Sequence, residues 1–189
     1  MIPVASAADP CPSPQSPVPG AGNVLLRQAT HEDIPALRQL FRTTVLTVNS
    51  RDYTEAEVAD WASCADRPGH WEALVEGLYL LVALADDGRQ VVGFAGIRDD
   101  GYLHSLFVHA GHQREGIGSL LLARMEAYAA VCGAACVHSE VSITARPFFE
   151  RHGYAVECRQ SRQARVLWLT NYRMSKRLKQ EAEGRACAR

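Results

Sequence analysis

The stretch from His104 to Ala129, HSLFVHAGHQREGIGSLLLARMEAYA, constrains this chain more than any other. An apolar, β-prone run over 102–108 gives way to a polar loop holding Gly111, Gly116 and Gly118. Behind the loop, Leu121, Leu122, Met125 and Ala129 recur at helical spacing, with Ser119 as the expected opening residue of the helix. The first N–H groups of a helix have no partner inside it and carry partial positive charge. Glycine lets the chain turn tightly there and lets a phosphate approach those donors. The stretch therefore predicts a phosphate-bearing ligand held between a strand and a helix.

The flanking patterns supply the rest of a domain. Residues 24–29 read as a strand, and Thr30 with Asp33 signals a helix carrying Ile34, Leu37, Leu40, Phe41 and Val45 on one face. Thr54 is placed to cap the run EAEVADWA, and residues 70–77 add a further short helix. Strands are expected over 78–85, 91–97 and 102–108, the first two joined by a turn at Asp86, Asp87 and Gly88. The glycine-loop helix should cover 116–132, followed by a strand over 135–143, a short helix over 146–152, and a hairpin of 154–159 with 165–174. This order predicts a mixed α/β fold with a largely antiparallel sheet. The strands on either side of the glycine-loop helix form its parallel pair.

Residues 1–22, with Pro10, Pro12, Pro14, Pro17 and Pro19 among Ala and Ser, are expected to be a disordered arm. The folded domain is read as 23–178. Charged residues from Lys176 onward are expected to fray, leaving a tail over 179–189.

A chain of 189 residues that is 47% hydrophobic can bury the core of one domain. Its net charge of −1 does not supply the clustered basic excess of a nucleic-acid footprint. No apolar run approaches the roughly 20 residues that span a bilayer, and the amino terminus lacks the pattern of a secretory signal. A cytoplasmic protein without a membrane or nucleic-acid partner is the expectation. Six scattered cysteines include no C-x-x-C pair, so free thiols are expected rather than a zinc site or a disulfide framework. His109 and His112 have an H-x-x-H spacing but no acidic partner nearby, and are read as loop histidines rather than metal ligands.

Two phosphate loops fail on this stretch. Gly111 and Gly116 have P-loop separation, yet Ile117 stands where the lysine belongs. The G-x-G-x-x-G spacing of a dinucleotide site is absent. What does fit is Q-x-x-G-x-G, as Gln113, Gly116 and Gly118. This loop resembles the acyl-CoA pyrophosphate loop of the GNAT-type N-acetyltransferase superfamily. The resemblance continues in VLLRQATHEDIPALRQLF at the first strand and helix, in SITARPFFERHGY, and in the closing NYRMSKRL, and so runs from Val24 to Leu178.

The resemblance implies the acyl-CoA N-acyltransferase fold, in which the strand before the loop splays from its parallel neighbour. It implies acetyl-CoA as co-substrate. The pyrophosphate would lie on the N–H groups of Gln113, Arg114, Glu115, Gly116, Ile117, Gly118 and Ser119, and pantetheine along Leu106, Phe107 and Val108. The Val108 N–H corresponds to the donor that stabilises the oxyanion. Ser142 and Arg146 match positions near pantetheine, and Phe149 stands where many relatives carry a tyrosine that protonates the departing thiolate. For the base that deprotonates the acceptor there are two candidates. His104 lies on the strand leading to the loop, and its ordinary pKa of about 6.5 suits the role. Glu140 alternates with His138 and Ser142 on the next strand and faces either the splay or solvent.

The acceptor is expected to meet the region between the first two strands, where Asn49, Arg51, Asp52, Tyr53 and Trp61 set polar groups beside aromatics. These suit a small primary amine or an amino-acid-like acceptor better than a peptide. Direct attack is expected, since Cys136 and Cys158 are remote from the loop in sequence. A homodimer is left open. A catalytically silent acyl-CoA-binding or sensing domain is the alternative, and Phe149 is its best support.

Overall fold

A computed structural model describes residues 24–85 and 88–178. The expected arm and tail, Cys11, Cys187, and the Asp86–Asp87 part of the first hairpin turn lie outside the described residues. Seven strands form one sheet: β1 (Leu25–Gln28), β2 (Tyr79–Leu84), β3 (Val91–Ile97), β4 (Tyr102–Val108), β5 (Cys136–Ser142), β6 (Ala155–Gln163) and β7 (Trp168–Arg177). Their spatial order is β1-β2-β3-β4-β5-β7-β6, and only β4 and β5 run parallel. The mixed sheet with a single parallel pair around the glycine-loop helix is therefore as the sequence indicated.

The helices are α1 (Ile34–Thr47), α2 (Glu55–Ala62), α3 (His70–Gly77), α4 (Ile117–Val131) and α5 (Arg146–Arg151). Their starts are chemically marked. At α2 the Thr54 hydroxyl accepts the Glu57 N–H at 3.3 Å, while the Glu57 carboxylate accepts the Thr54 N–H at 2.8 Å. Ahead of α1, the buried Asp33 takes the Thr30 N–H at 2.8 Å and both arms of the Arg27 guanidinium at 2.7 Å. This ties β1 to the helix that follows it.

The sheet is covered on both faces. On one, α4 and α5 bury Leu121, Met125 and Phe149 against Val137, Val141 and Met174. On the other, α1 and α3 bury Leu37, Leu40, Trp71 and Leu74 against Leu80, Val82 and Phe94. A smaller cluster of Val45, Tyr53, Val58 and Ala62 reaches Leu169 on β7, so the α1–α2 corner also contacts the carboxy-terminal half of the sheet. Side chains as fully buried as Leu121 and Met125 contribute about 1.5–3 kcal/mol each.

The feature that shapes the site is a slip of register. Gly96 pairs with Ser105, but the next residue, Ile97, pairs with Leu103, leaving His104 without a partner opposite it. Such a bulge bends its strand and tightens its twist. The parallel pairing of β4 with β5 is correspondingly brief. It comprises Tyr102 with His138 and Leu103 with Ser139, reinforced by the Ser139 hydroxyl donating to the Leu103 carbonyl at 2.8 Å. Beyond that point β4 pairs only with β3 and β5 only with β7, and a gap opens between them.

Three boundaries depart from the sequence reading. Helix α4 starts at Ile117, two residues before Ser119, because Gly116 at φ +83° caps it in the left-handed conformation. Strand β6 runs to Gln163 despite its exposed, polar sequence, because its ladder with β7 continues to the pair Gln163–Trp168. Lys176 and Arg177 do not fray. They complete β7, where the Lys176 ammonium holds the Glu126 carboxylate of α4 at 2.7 Å.

Asp33 titrates with a folded pKa held below the usual carboxylate value, first by the hydrogen bonds from Arg27. Its contribution to stability is therefore complete above the unfolded value of about 3.9 and disappears as pH falls through the lower folded value. Asp33→Asn should cost about 1 kcal/mol at pH 7, since solvent reaches the Arg27 end of the pair. In urea titrations the gap from the parent should close below about pH 4.

Candidate active site

The gap between β4 and β5 opens into a cavity of about 850 Å³ that crosses the sheet from the glycine loop to the α1–α3 face. At the loop end, the Gln113 side chain donates to the Val108 carbonyl at 2.8 Å, and the Thr44 hydroxyl reaches the same oxygen at 3.4 Å. The glutamine of the motif thus pins the end of β4. Arg114, at φ +70°, and Gly116 both turn through the left-handed region, and the chain then enters α4. The first bond around this helix start is from the Leu120 N–H to the Gly116 carbonyl, so the N–H groups of Ile117, Gly118 and Ser119 have no acceptor within the helix. A Cβ on Gly118 would lie 3.3 Å from the Phe148 ring, so glycine is what lets α5 close on the head of α4.

His152 joins the same two helices. Its Nδ1 donates to the Phe148 carbonyl at 2.8 Å, which leaves Nε2 to accept the Ser119 hydroxyl at 2.9 Å. Arg114 and Arg151 add two guanidiniums to this wall. The helix head and these cations form an anion-binding surface.

Backbone alternation sets what β4 offers to the gap. The His109 N–H is bonded to the Val92 carbonyl on β3 at 2.8 Å, so the N–H groups of Val108 and Leu106 turn the other way, towards the opening. Phe107 faces the α1 side, stacked on Phe94 and edge-on to Phe41.

At the far end stands His104, exposed to the cavity, its Nδ1 2.6 Å from the Ser105 hydroxyl and its ring centroid 6.1 Å from that of His70. The enclosing walls, with added repulsion from His70 and Arg98, push its pKa down to about 4. The His70 value is also lowered, first by burial and then by Arg67. At neutral pH His104 is uncharged and has a lone pair to offer. Glu140 lines the same cavity, and its carboxylate is ion-paired with Arg162.

The expected acceptor residues converge here with different roles. Trp61 packs edge-on to Tyr53 and Phe41 as part of an aromatic wall. The buried Asn49 donates to the Ser142 hydroxyl at 3.4 Å, and that oxygen also accepts the Ala145 N–H at 3.1 Å. The Tyr53 hydroxyl donates to the Thr170 carbonyl at 2.7 Å and accepts the Ile143 N–H at 2.9 Å, with burial pushing its pKa up to about 12. Both of these bonds are internal, so it offers the cavity only its ring. Phe149, 3% exposed, is packed edge-on against Tyr154 in the core.

Two expected cofactor residues stand apart from the lining. The Arg146 side chain is ion-paired with Glu150 at 2.7 Å and lies over the Tyr172 ring, and Glu115 is paired with His112 at 2.9 Å. His109 Nδ1 accepts the Gly111 N–H. Among the described residues no group of three or more His, Cys, Asp or Glu side chains is arranged to hold a metal ion.

Sequence reading did not find His70, Arg67, Arg162, Phe148 or His152. None carries a spacing signal, since each reaches the cavity through the fold. The rim is closed by the turn between β6 and β7. The Asp60 carboxylate of α2 accepts the N–H groups of Arg165, Val166 and Leu167, each at 3.0 Å, and Arg67 donates to the Ala164 carbonyl.

The sequence model of the acetyltransferase (GNAT) domain matches residues 49–176. The chain belongs to this family of acyltransferases. It is 28% identical over 152 residues to the uncharacterized N-acetyltransferase YafP of Escherichia coli (strain K12), covering 80% of this chain and 95% of that one. A GCN5-related N-acetyltransferase structure from Rhodopseudomonas palustris superposes with a TM-score of 0.80 at 27% identity, over 84% of this chain and 98% of that one. The PaiA N-acetyltransferase of Thermoplasma acidophilum, solved with coenzyme A, superposes at 0.65 with 17% identity, over 83% and 100% of the two chains. No helix among the described residues is long and apolar enough to cross a membrane.

The His104 ring should remain neutral well below the ordinary histidine range. In a pH series of ring-proton NMR spectra its Cε1–H shift is expected to stay constant from pH 8 to about 5 and to move near pH 4.

Proposed function

We propose that the protein transfers an acetyl group from acetyl-CoA to the primary amine of a small molecule by direct attack. The observation that carries this reading is the continuity of the cavity. One opening joins an anion-binding helix head, an unpaired strand edge and a neutral histidine. Coenzyme A bound to the PaiA relative supports the identity of the acyl carrier.

The residues present suit such a carrier. N–H groups of Ile117, Gly118 and Ser119, with Arg114 and Arg151, would hold its pyrophosphate. The gap-facing edge of β4 at Leu106 and Val108 would pair with its amides, and Ser142 lines the same opening. The carrier supplies a thioester carbonyl when bound. His104 takes the proton from the acceptor nitrogen as the new N–C bond forms. The Val108 N–H stabilises the negative charge that develops on the carbonyl oxygen. The C–S bond breaks, and a thiol of pKa about 8.5 can leave as the thiolate without a proton from Phe149. The Glu140 carboxylate is occupied by Arg162 while the His104 ring is open to the cavity, which supports His104 as the base. The buried ring of Phe149 favours one other reading, a domain that binds acyl-CoA without turnover.

Calorimetry should detect acetyl-CoA binding, and thiol release against a panel of amines should separate transfer from silent binding. His104→Ala is expected to lower kcat by about 10²–10⁴-fold while leaving the affinity for acetyl-CoA unchanged. In the parent, the acid limb of kcat/KM should fall near pH 4 rather than near 6.5. Absence of binding overturns the reading. An unaltered pH–rate profile in His104→Ala removes His104 as the base.

A further inference from the structure

The charged side chains that line the cavity are five arginines and one glutamate, an imbalance with a location. Arg114 and Arg151 belong to the helix-head end. Arg162 is neutralised by Glu140. That leaves Arg51 and Arg67 on the acceptor side. Arg67 donates to a neutral carbonyl, that of Ala164, and no carboxylate among the described residues pairs with either guanidinium.

Three of the carboxylates nearby are engaged elsewhere. Asp60 holds three N–H groups of the β6–β7 turn, Asp66 is paired with Arg38 and Arg42, and Glu57 caps α2. A wall with two uncompensated guanidiniums attracts a planar anion, for which their fork of N–H donors is shaped.

A second observation points to the other end of the same ligand. Asn171 and Thr144 line the cavity, and their Oδ1 and Oγ1 atoms are buried without a hydrogen-bond partner. Asn171 is the register partner of Ser142, at the end of β5 that borders the gap. Acceptor atoms left open there suit the N–H groups of an amine. The aromatic rings of Phe41, Trp61 and Trp71 line the same cavity.

We propose that the acceptor is an amino carboxylate with an apolar side chain. Its amine is received at Asn171 and Thr144, its carboxylate at Arg51 and Arg67, and its side chain at the tryptophan wall. This assignment rests on the acetyl-transfer reading for the site's use, but the binding it describes is measurable without turnover.

Trp61 and Trp71 provide the signal. With the protein saturated in coenzyme A, their fluorescence is followed during titration with apolar amino acids, phenylalanine and leucine among them, and with the matching amino-acid amides. At least one free acid should bind ten-fold or more tightly than its amide, and raised salt should erode the advantage. The double variant Arg51→Gln with Arg67→Gln should abolish it, and the double lysine variant should retain part of it.

Equal or tighter binding of the amides, an advantage that survives the glutamine variant, or no binding by any acid overturns the proposal. Comparison of acid with amide on the parent protein decides the matter even if a variant fails to fold. Thiol release with neutral amines but not with amino acids would leave acetyl transfer standing and overturn this assignment. Carboxylate-dependent binding without thiol release from acetyl-CoA would do the reverse.

Discussion

One unpaired residue organises the molecule. Because His104 has no partner on β3, β4 bends away from β5 two residues after their pairing begins. A regular parallel ladder there would satisfy the backbone of both strands and close the sheet. The bulge instead leaves two strand edges facing each other across open space, with N–H groups that need a partner. The cavity, the edge on which an acyl carrier can be laid, and the position of the proposed base all follow from that local defect. The same residue that opens the gap also stands in it.

The two ends of the opening are built by different means. The loop end is backbone chemistry, with a left-handed glycine, a helix head, and a close contact between Gly118 and Phe148. Side chains there mainly brace the backbone, as Gln113 does at Val108 and His152 does between Ser119 and Phe148. The far end is side-chain chemistry, with aromatic rings, guanidiniums and imidazoles contributed by α1, α2, α3, β4, β6 and the segments between α1 and α3. A family can keep the first end and vary the second without disturbing the sheet.

This division explains what could be read from the chain. Helical and strand periodicities placed the elements, because each buries one face or both. Strand β6 was cut short in the reading because CRQSRQ buries almost nothing and is held by its ladder alone. The span 116–132 locates α4 to within a residue, although Ser119 is not its cap, because glycine does that work by geometry. The phosphate loop was legible because its backbone needs particular residues at particular spacings. His70, Arg67 and Arg162 were not, since each lies more than 40 positions from the Gln113–Gly118 motif and reaches the cavity only through the fold. Strand alternation could not orient His104 either, because a bulge interrupts the period of two on which such reasoning depends.

The Asp60 contact with the β6–β7 turn has a bearing on how the molecule is assembled. It joins residues 105 to 107 positions apart, from α2 to the last hairpin. Closing so long a loop is entropically slow, and such contacts form late. The helix head and the first four strands are complete before the chain reaches β5. The rim is not. During synthesis, therefore, the glycine loop and the head of α4 can form before the rim that the Asp60 contact closes. The opening is fully walled only when the carboxy-terminal hairpin docks.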